Sequence, residues 1–123
     1  MPNPRSSAFR PSNPGRVADK TKNYLIIVRP DSRNIAIEEI VEPPPVARLQ
    51  ELVEGFIELV PYFKTIWGRA CVAFCNEEGK LKGMAPNAAA QYLWVAAIGG
   101  QPGDHLCGPI VILAGTRAFL DKL

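Results

Sequence analysis

Residues 24–28 read Tyr-Leu-Ile-Ile-Val, an apolar run with no polar break. A stretch of strand length, rich in β-branched side chains, has no face to give to water. It reads as a strand covered on both sides. Two later segments have the same character. "RACVAFCNEEG" is apolar from Ala70 to Cys75 and then breaks at a polar turn, and "LCGPIVILAG" supplies a last buried strand. Buried strands need neighbours for their backbone groups, so the chain is organised around a sheet.

The other elements are weaker and amphipathic. "DSRN" is a turn, with Asp and Asn in favourable places. In "IAIEEIVEP" Ile35, Ile37 and Ile40 alternate with polar residues, which predicts a second strand in a hairpin with the first. The prolines at 43–45 stop it and lead into a helix, where Val46, Leu49, Leu52 and Val53 share a face and Gly55 marks the end. "FIELVPYF" reads as a strand whose Pro61 belongs to an edge or a bend. "KLKGMAP" reads as short and extended. Asn87 is placed to N-cap the helix "AAAQYLWVAAIGG", with Ala89, Tyr92, Leu93 and Ala96 on one face and Gly99-Gly100 as its stop. "TRAFLDKL" closes the chain with a helical turn.

This order lacks the regular strand–helix alternation of a doubly wound fold. It predicts an α+β domain over residues 23–123, with a mainly antiparallel or mixed sheet of about five strands and two helices. A chain of 123 residues suits one domain, with 47% hydrophobic and 21% charged residues in the globular range. Residues 1–22 are rich in Pro, Ser, Asn and Arg and read as a flexible basic N-terminal extension. They carry Arg5, Arg10, Arg16, Lys20 and Lys22 against Asp19, whereas the rest of the chain is mildly acidic. Five cations spread over 22 positions offer nucleic acid only non-specific attraction. No signal-like region and no membrane-length apolar run is visible, so the expected location is the cytoplasm, with no membrane partner.

Reactive constellations are sparse. Glu77 and Glu78 are adjacent at a turn, where neighbouring side chains diverge into water. Their structural reading, with Gly79 supplying a positive φ, outweighs acid–base catalysis. Cys71, Cys75 and Cys107 are odd in number, and four strand residues hold Cys71 and Cys75 about 13 Å apart, which favours free thiols. With His105, these cysteines match no standard zinc spacing. The glycines of "AIGGQPGD" follow a helix, whereas phosphate loops precede one. No catalytic residue, metal or cofactor is expected. The aromatics are not interleaved with cations as on a single-strand-binding surface. Tyr62, Phe63 and Trp67, in "PYFKTIW", are the candidates for an exposed partner patch.

The densest polar stretch is "NEEGKLKGMAPN". Together with "LQELVEGFIELVP", "AAAQYLW" and "GPIVILAG" in that order, it resembles an uncharacterised family of small bacterial, phage and plasmid proteins, a domain of unknown function. The resemblance runs from about Tyr24 to Gly115, and "PYFKTIWGR" departs from it as an insert. It implies a compact α+β domain with mobile-element associations, and it brings no activity or cofactor. The expected function is a non-enzymatic binding module that engages a protein partner or self-associates. The alternative is a small-ligand or nucleotide binder using the Asn76–Asn87 turn. The residues in question are Asn76, Glu77, Glu78, Lys80, Lys82, Asn87, Tyr62, Phe63 and Trp67.

Overall fold

The protein is described by a computed structural model at residues 14–31 and 34–123. After a short 3-10 turn at Pro14–Val17 come β1 (Asn23–Val28), β2 (Ala36–Ile40), α1 (Val46–Val53), β3 (Ile57–Leu59) and β4 (Thr65–Ile66). Then follow β5 (Arg69–Asn76), α2 (Ala88–Ile98), β6 (Ile110–Ala114) and α3 (Arg117–Leu120). The main sheet has the order β2-β1-β6-β5-β3, and every neighbouring pair is antiparallel. This is the expected α+β architecture, with the antiparallel alternative realised.

The last strand lies in the middle. β6 sits between β1 and β5, with Ile112 opposite Ile26 on one side and Ala73 on the other. Successive side chains point to opposite faces. Tyr24, Ile26, Val28, Ile110 and Ile112 therefore pack on one face with Ala90, Leu93 and Trp94 of α2. Leu25, Ile27, Val111 and Leu113 pack on the other with Leu49 and Val53 of α1 and Phe119 of α3. Helices on both faces are why these strands had to be apolar throughout. Ile110 to Leu113 are all fully buried. At about 2 kcal/mol per branched side chain, this strand alone buries roughly 8 kcal/mol of transfer free energy, before conformational entropy opposes it.

Several local expectations change. The buried face of α2 is Ala90, Leu93 and Trp94, whereas Tyr92 is 48% exposed and Ala96 is exposed. The helix is apolar nearly all round, so its sequence marks no stripe. The Trp94 indole donates to the Pro61 carbonyl at 2.9 Å, and Gln91 bonds Asp104 and Leu106, which together hold the helix in this rotation. At the end of α1 the left-handed residue is Glu54 (φ 65°), not Gly55. Gly55 leaves room for Asn76, because a Cβ there would fall 2.5 Å from the Asn76 Nδ2. Phe63 is core, at 2% exposure.

The segment "PYFKTIWGR" forms a bulged edge and a hairpin. β3 and β4 both lie against β5, but the register shifts between them: Leu59 faces Phe74 and Thr65 faces Ala70. Val60 donates to Ala73 and Cys71 donates to Lys64. Pro61, Tyr62 and Phe63 are thus set against Val72 alone. Tyr62 takes a φ of 63°, which lets the extra chain bulge without unzipping either end. Trp67 and Gly68, with φ of 48° and 77°, make the two-residue turn joining β4 to β5. Positive φ at both central positions suits the right-handed twist of a hairpin.

The boundary drawn at residue 22 falls within a stretch that is held down. Val17 is fully buried in the core. Arg69, itself 3% exposed, donates to the carbonyls of Val17, Asp19 and Lys22 at 2.8, 2.9 and 2.7 Å, and lies over the Tyr24 ring. Arg16 reaches the Ile37 carbonyl, Lys20 the Gly68 carbonyl and Lys22 the Glu39 carboxylate. Arg5 and Arg10 lie outside the described residues. No helix among the described residues is long and apolar enough to cross a membrane.

Candidate functional site

The two asparagines that bound "NEEGKLKGMAPN" are buried and committed to backbone. Asn76 ends β5; its Nδ2 donates to Val53 and Glu54 at 3.1 and 3.0 Å, and its Oδ1 accepts from the Glu78 amide. It ties the end of α1 to the turn after β5. The Asn87 Nδ2 donates to Val28 and Gly108 at 2.9 Å each, while its Oδ1 caps α2 through the Ala90 amide. With three bonds each, both side-chain amides have their donors committed to backbone.

Between them the backbone is a pair of tight turns, not the extended piece expected. Gly79 donates to Asn76, Lys82 to Glu78, Gly83 to Lys80 and Met84 to Gly79. The glycine that needs a positive φ is Gly83, at 67°. Gly79 is there for room, because a Cβ would meet the Cys107 carbonyl at 3.1 Å. Only Pro86 continues the sheet, in an isolated bridge with Cys107.

This turn forms one wall of a cleft of about 380 Å³. Residues 58–61 of β3 and its extension, the 104–107 loop and Trp94 complete the lining. Of the predicted site residues, Asn76, Glu77 and Lys80 line it. Glu78 and Lys82 pair with each other at 3.8 Å, in water. Asn87 lies elsewhere, under α2. Tyr62 sits beside the rim at 73% exposure, and Trp67 is half-buried in the hairpin turn.

Residues 22–121 match the family described as Domain of unknown function (DUF3846). The chain belongs to this family. No curated protein and no solved structure matches it.

In this DUF3846 member the cleft carries groups that sequence spacing did not join. Asp104 pairs with Lys80. That contact, with the His105 amide, holds the Asp104 carboxyl below its usual range, and the same pairing raises Lys80. Glu58 on β3 lies across from Cys75, whose thiol is 3.9 Å from the carboxylate. Burial first, and then Glu58, push the Cys75 thiol up to about 11. A thiol so raised is protonated at neutral pH, the opposite of an activated nucleophile. Burial alone pushes Cys71, on the inner face, up to about 12. Among the described residues, no three His, Cys, Asp or Glu side chains gather as a metal site. Glu58, Glu77 and Asp104 set three carboxylates against the single ammonium of Lys80.

The second element of the site is the sheet edge itself. β3 is the outermost strand, paired only with β5 among the described residues. The Glu77 amide bonds the Phe56 carbonyl, and the Val60 amide bonds Ala73. Antiparallel pairs alternate, so Phe56, Glu58 and Val60 turn their backbone groups inward to β5. Ile57 and Leu59 turn theirs outward. Along this edge and its rim Phe56, Leu59, Tyr62 and Leu81 are 64, 57, 73 and 87% exposed. No periodicity in "FIELVPYF" could have shown this, because edge position depends on which strands pair.

Proposed function

We propose that the protein is a non-enzymatic binding module that engages a protein partner at the open β3 edge and the cleft beside it. The observation that carries this reading is the combination, on one edge, of outward Ile57 and Leu59 backbone groups with the exposed side chains of Phe56, Leu59 and Tyr62. An unpaired edge offers directional hydrogen bonds, and nearby apolar side chains offer area to bury. The other edge is unlike it. On β2, Glu38 and Glu39 pair with Arg48 and Lys22, and Arg16 covers the Ile37 carbonyl. The raised Cys75 thiol supports a binding role over a thiol-based reaction.

The module acts in the cytoplasm in this reading. The mobile-element association implied by the family resemblance would make host machinery its natural target. Affinity capture by wild-type protein and by a Leu59→Asp, Tyr62→Ser double variant tests the proposal. A partner retained by the first and lost by the second is expected. Identical recovery by both would overturn it.

A second reading rests on the cleft volume, which falls within the range of small-ligand pockets. It places a small cationic or neutral ligand between Glu58, Glu77 and Trp94. Chemical-shift mapping with a fragment set checks this; shifts absent from Cys75, Lys80 and Leu106 would remove it.

A further inference from the structure

One carboxylate, Glu58, stands at the middle of the β3 edge, and its charge bears on what can pair there. Self-pairing about a two-fold axis needs outward residues to meet outward residues. Within β3 the register that joins two such pairs sets Ile57 against the partner copy's Leu59, and so sets Glu58 against its own copy. Shifting the register to meet Pro61 fails, because proline has no N–H to give. Residue 58 would occupy a non-hydrogen-bonded pair, where opposing Cα atoms come within about 4.5 Å. Two carboxylates placed directly opposite repel. No cation pairs with Glu58 among the described residues, unlike Glu38 and Glu39 on the other edge. Glu77 and Asp104 add to the negative field of the adjoining cleft.

Building on the reading above, we infer that the β3 edge takes an extended peptide segment of a partner protein, added antiparallel, with Lys or Arg opposite Glu58. The partner's backbone bonds Ile57 and Leu59. Its basic side chain meets Glu58 at the closest cross-strand distance, on the side of the sheet where the cleft opens. Residues on either side of that cation are apolar and lie over Leu59.

The test is an amide-resolved titration of the full chain with capped Thr-Val-Lys-Val-Thr and with its Glu-centred counterpart. The Lys peptide is expected to shift and slow the exchange of the Ile57 and Leu59 amides, and to bind about tenfold more tightly than the Glu peptide. Glu58→Lys reverses that preference. Glu58→Gln abolishes it and permits a β3-paired dimer at high concentration. Residue 58 is exposed, so both variants should keep the wild-type amide spectrum elsewhere. Equal binding of the two peptides at Ile57 and Leu59 would overturn the charge selection and leave the edge-binding reading standing. No response of these amides to either peptide would overturn both. A wild-type dimer paired through β3 would also overturn the inference.

Discussion

Replacing Asn87 with alanine removes three hydrogen bonds at once, from a side chain that is 1% exposed. The lost N-cap of α2 costs about 1 kcal/mol. The carbonyls of Val28 and Gly108 lose a buried donor, at about 1–2 kcal/mol each. The expected loss is therefore about 3–5 kcal/mol, against a total of about 5–15 kcal/mol for a domain of this size. Two companion variants separate the contributions. Asn87→Ser keeps a capping oxygen and loses both donors, so it should recover about 1 kcal/mol relative to alanine. Asn87→Asp also keeps the cap, but aims a carboxylate at two carbonyls in a buried site, and should be no better than alanine. Urea denaturation followed by tryptophan fluorescence and circular dichroism measures all three, with a constant m-value as the check on two-state unfolding. A loss under 1 kcal/mol for Asn87→Ala, or an Asn87→Asp variant as stable as wild type, would refute the argument that this side chain straps three elements together.

Arg69→Lys should cost about 2–3 kcal/mol, because an ammonium cannot serve three carbonyls in the geometry the guanidinium does; limited proteolysis should find new cleavage within residues 14–22. Gly55→Ala should destabilise by about 1–3 kcal/mol by pushing a methyl into the Asn76 amide, and in a Gly55→Ala, Asn76→Ala double variant the two losses should fall short of additive by at least 0.5 kcal/mol. Cys71 is raised from 9.0 to about 12, so the stabilisation from its neutral thiol is complete below pH 9 and is lost as pH rises towards 12. Unfolding free energy should therefore fall through that window in wild type, and fall less steeply in Cys71→Val.

The core strands were legible because the physics that buries them is written locally. Tyr24–Val28 and Ile110–Ala114 have no polar residue to spare for solvent, and a sheet covered on both faces follows from that; that its strands run antiparallel was decided by the pairing. Asn87 was legible as a cap because its side-chain oxygen acts within three residues. Its two donors were not, since Val28 is 59 positions away. The rotation of α2 was missed for a related reason. An almost wholly apolar helix carries no stripe, and the bonds that hold it, from Trp94 to Pro61 and from Leu106 to Gln91, come from partners distant in sequence. "KLKGMAP" is a turn and not an extended piece because Lys82 and Met84 bond back to Glu78 and Gly79, outside the segment, and Gly83 takes a positive φ.

The candidate site divides in the same way. Composition and spacing alone excluded standard zinc motifs and phosphate loops, and singled out the polar turn. They could not pair Lys80 with Asp104 or Glu58 with Cys75, because those contacts cross between elements joined only by the sheet. What this sequence determined by itself is which segments must leave water and where the backbone turns, for both are set by side chains within a few residues. Strand order belongs to tertiary structure. β6, last in sequence among the strands, took the centre of the sheet, where both its faces and both its edges are satisfied, and the shorter β3, bulged at Pro61, was left with one edge open. That open edge, where the Glu58 carboxylate at the midpoint has no cation partner among the described residues, is where this protein's function is proposed to lie.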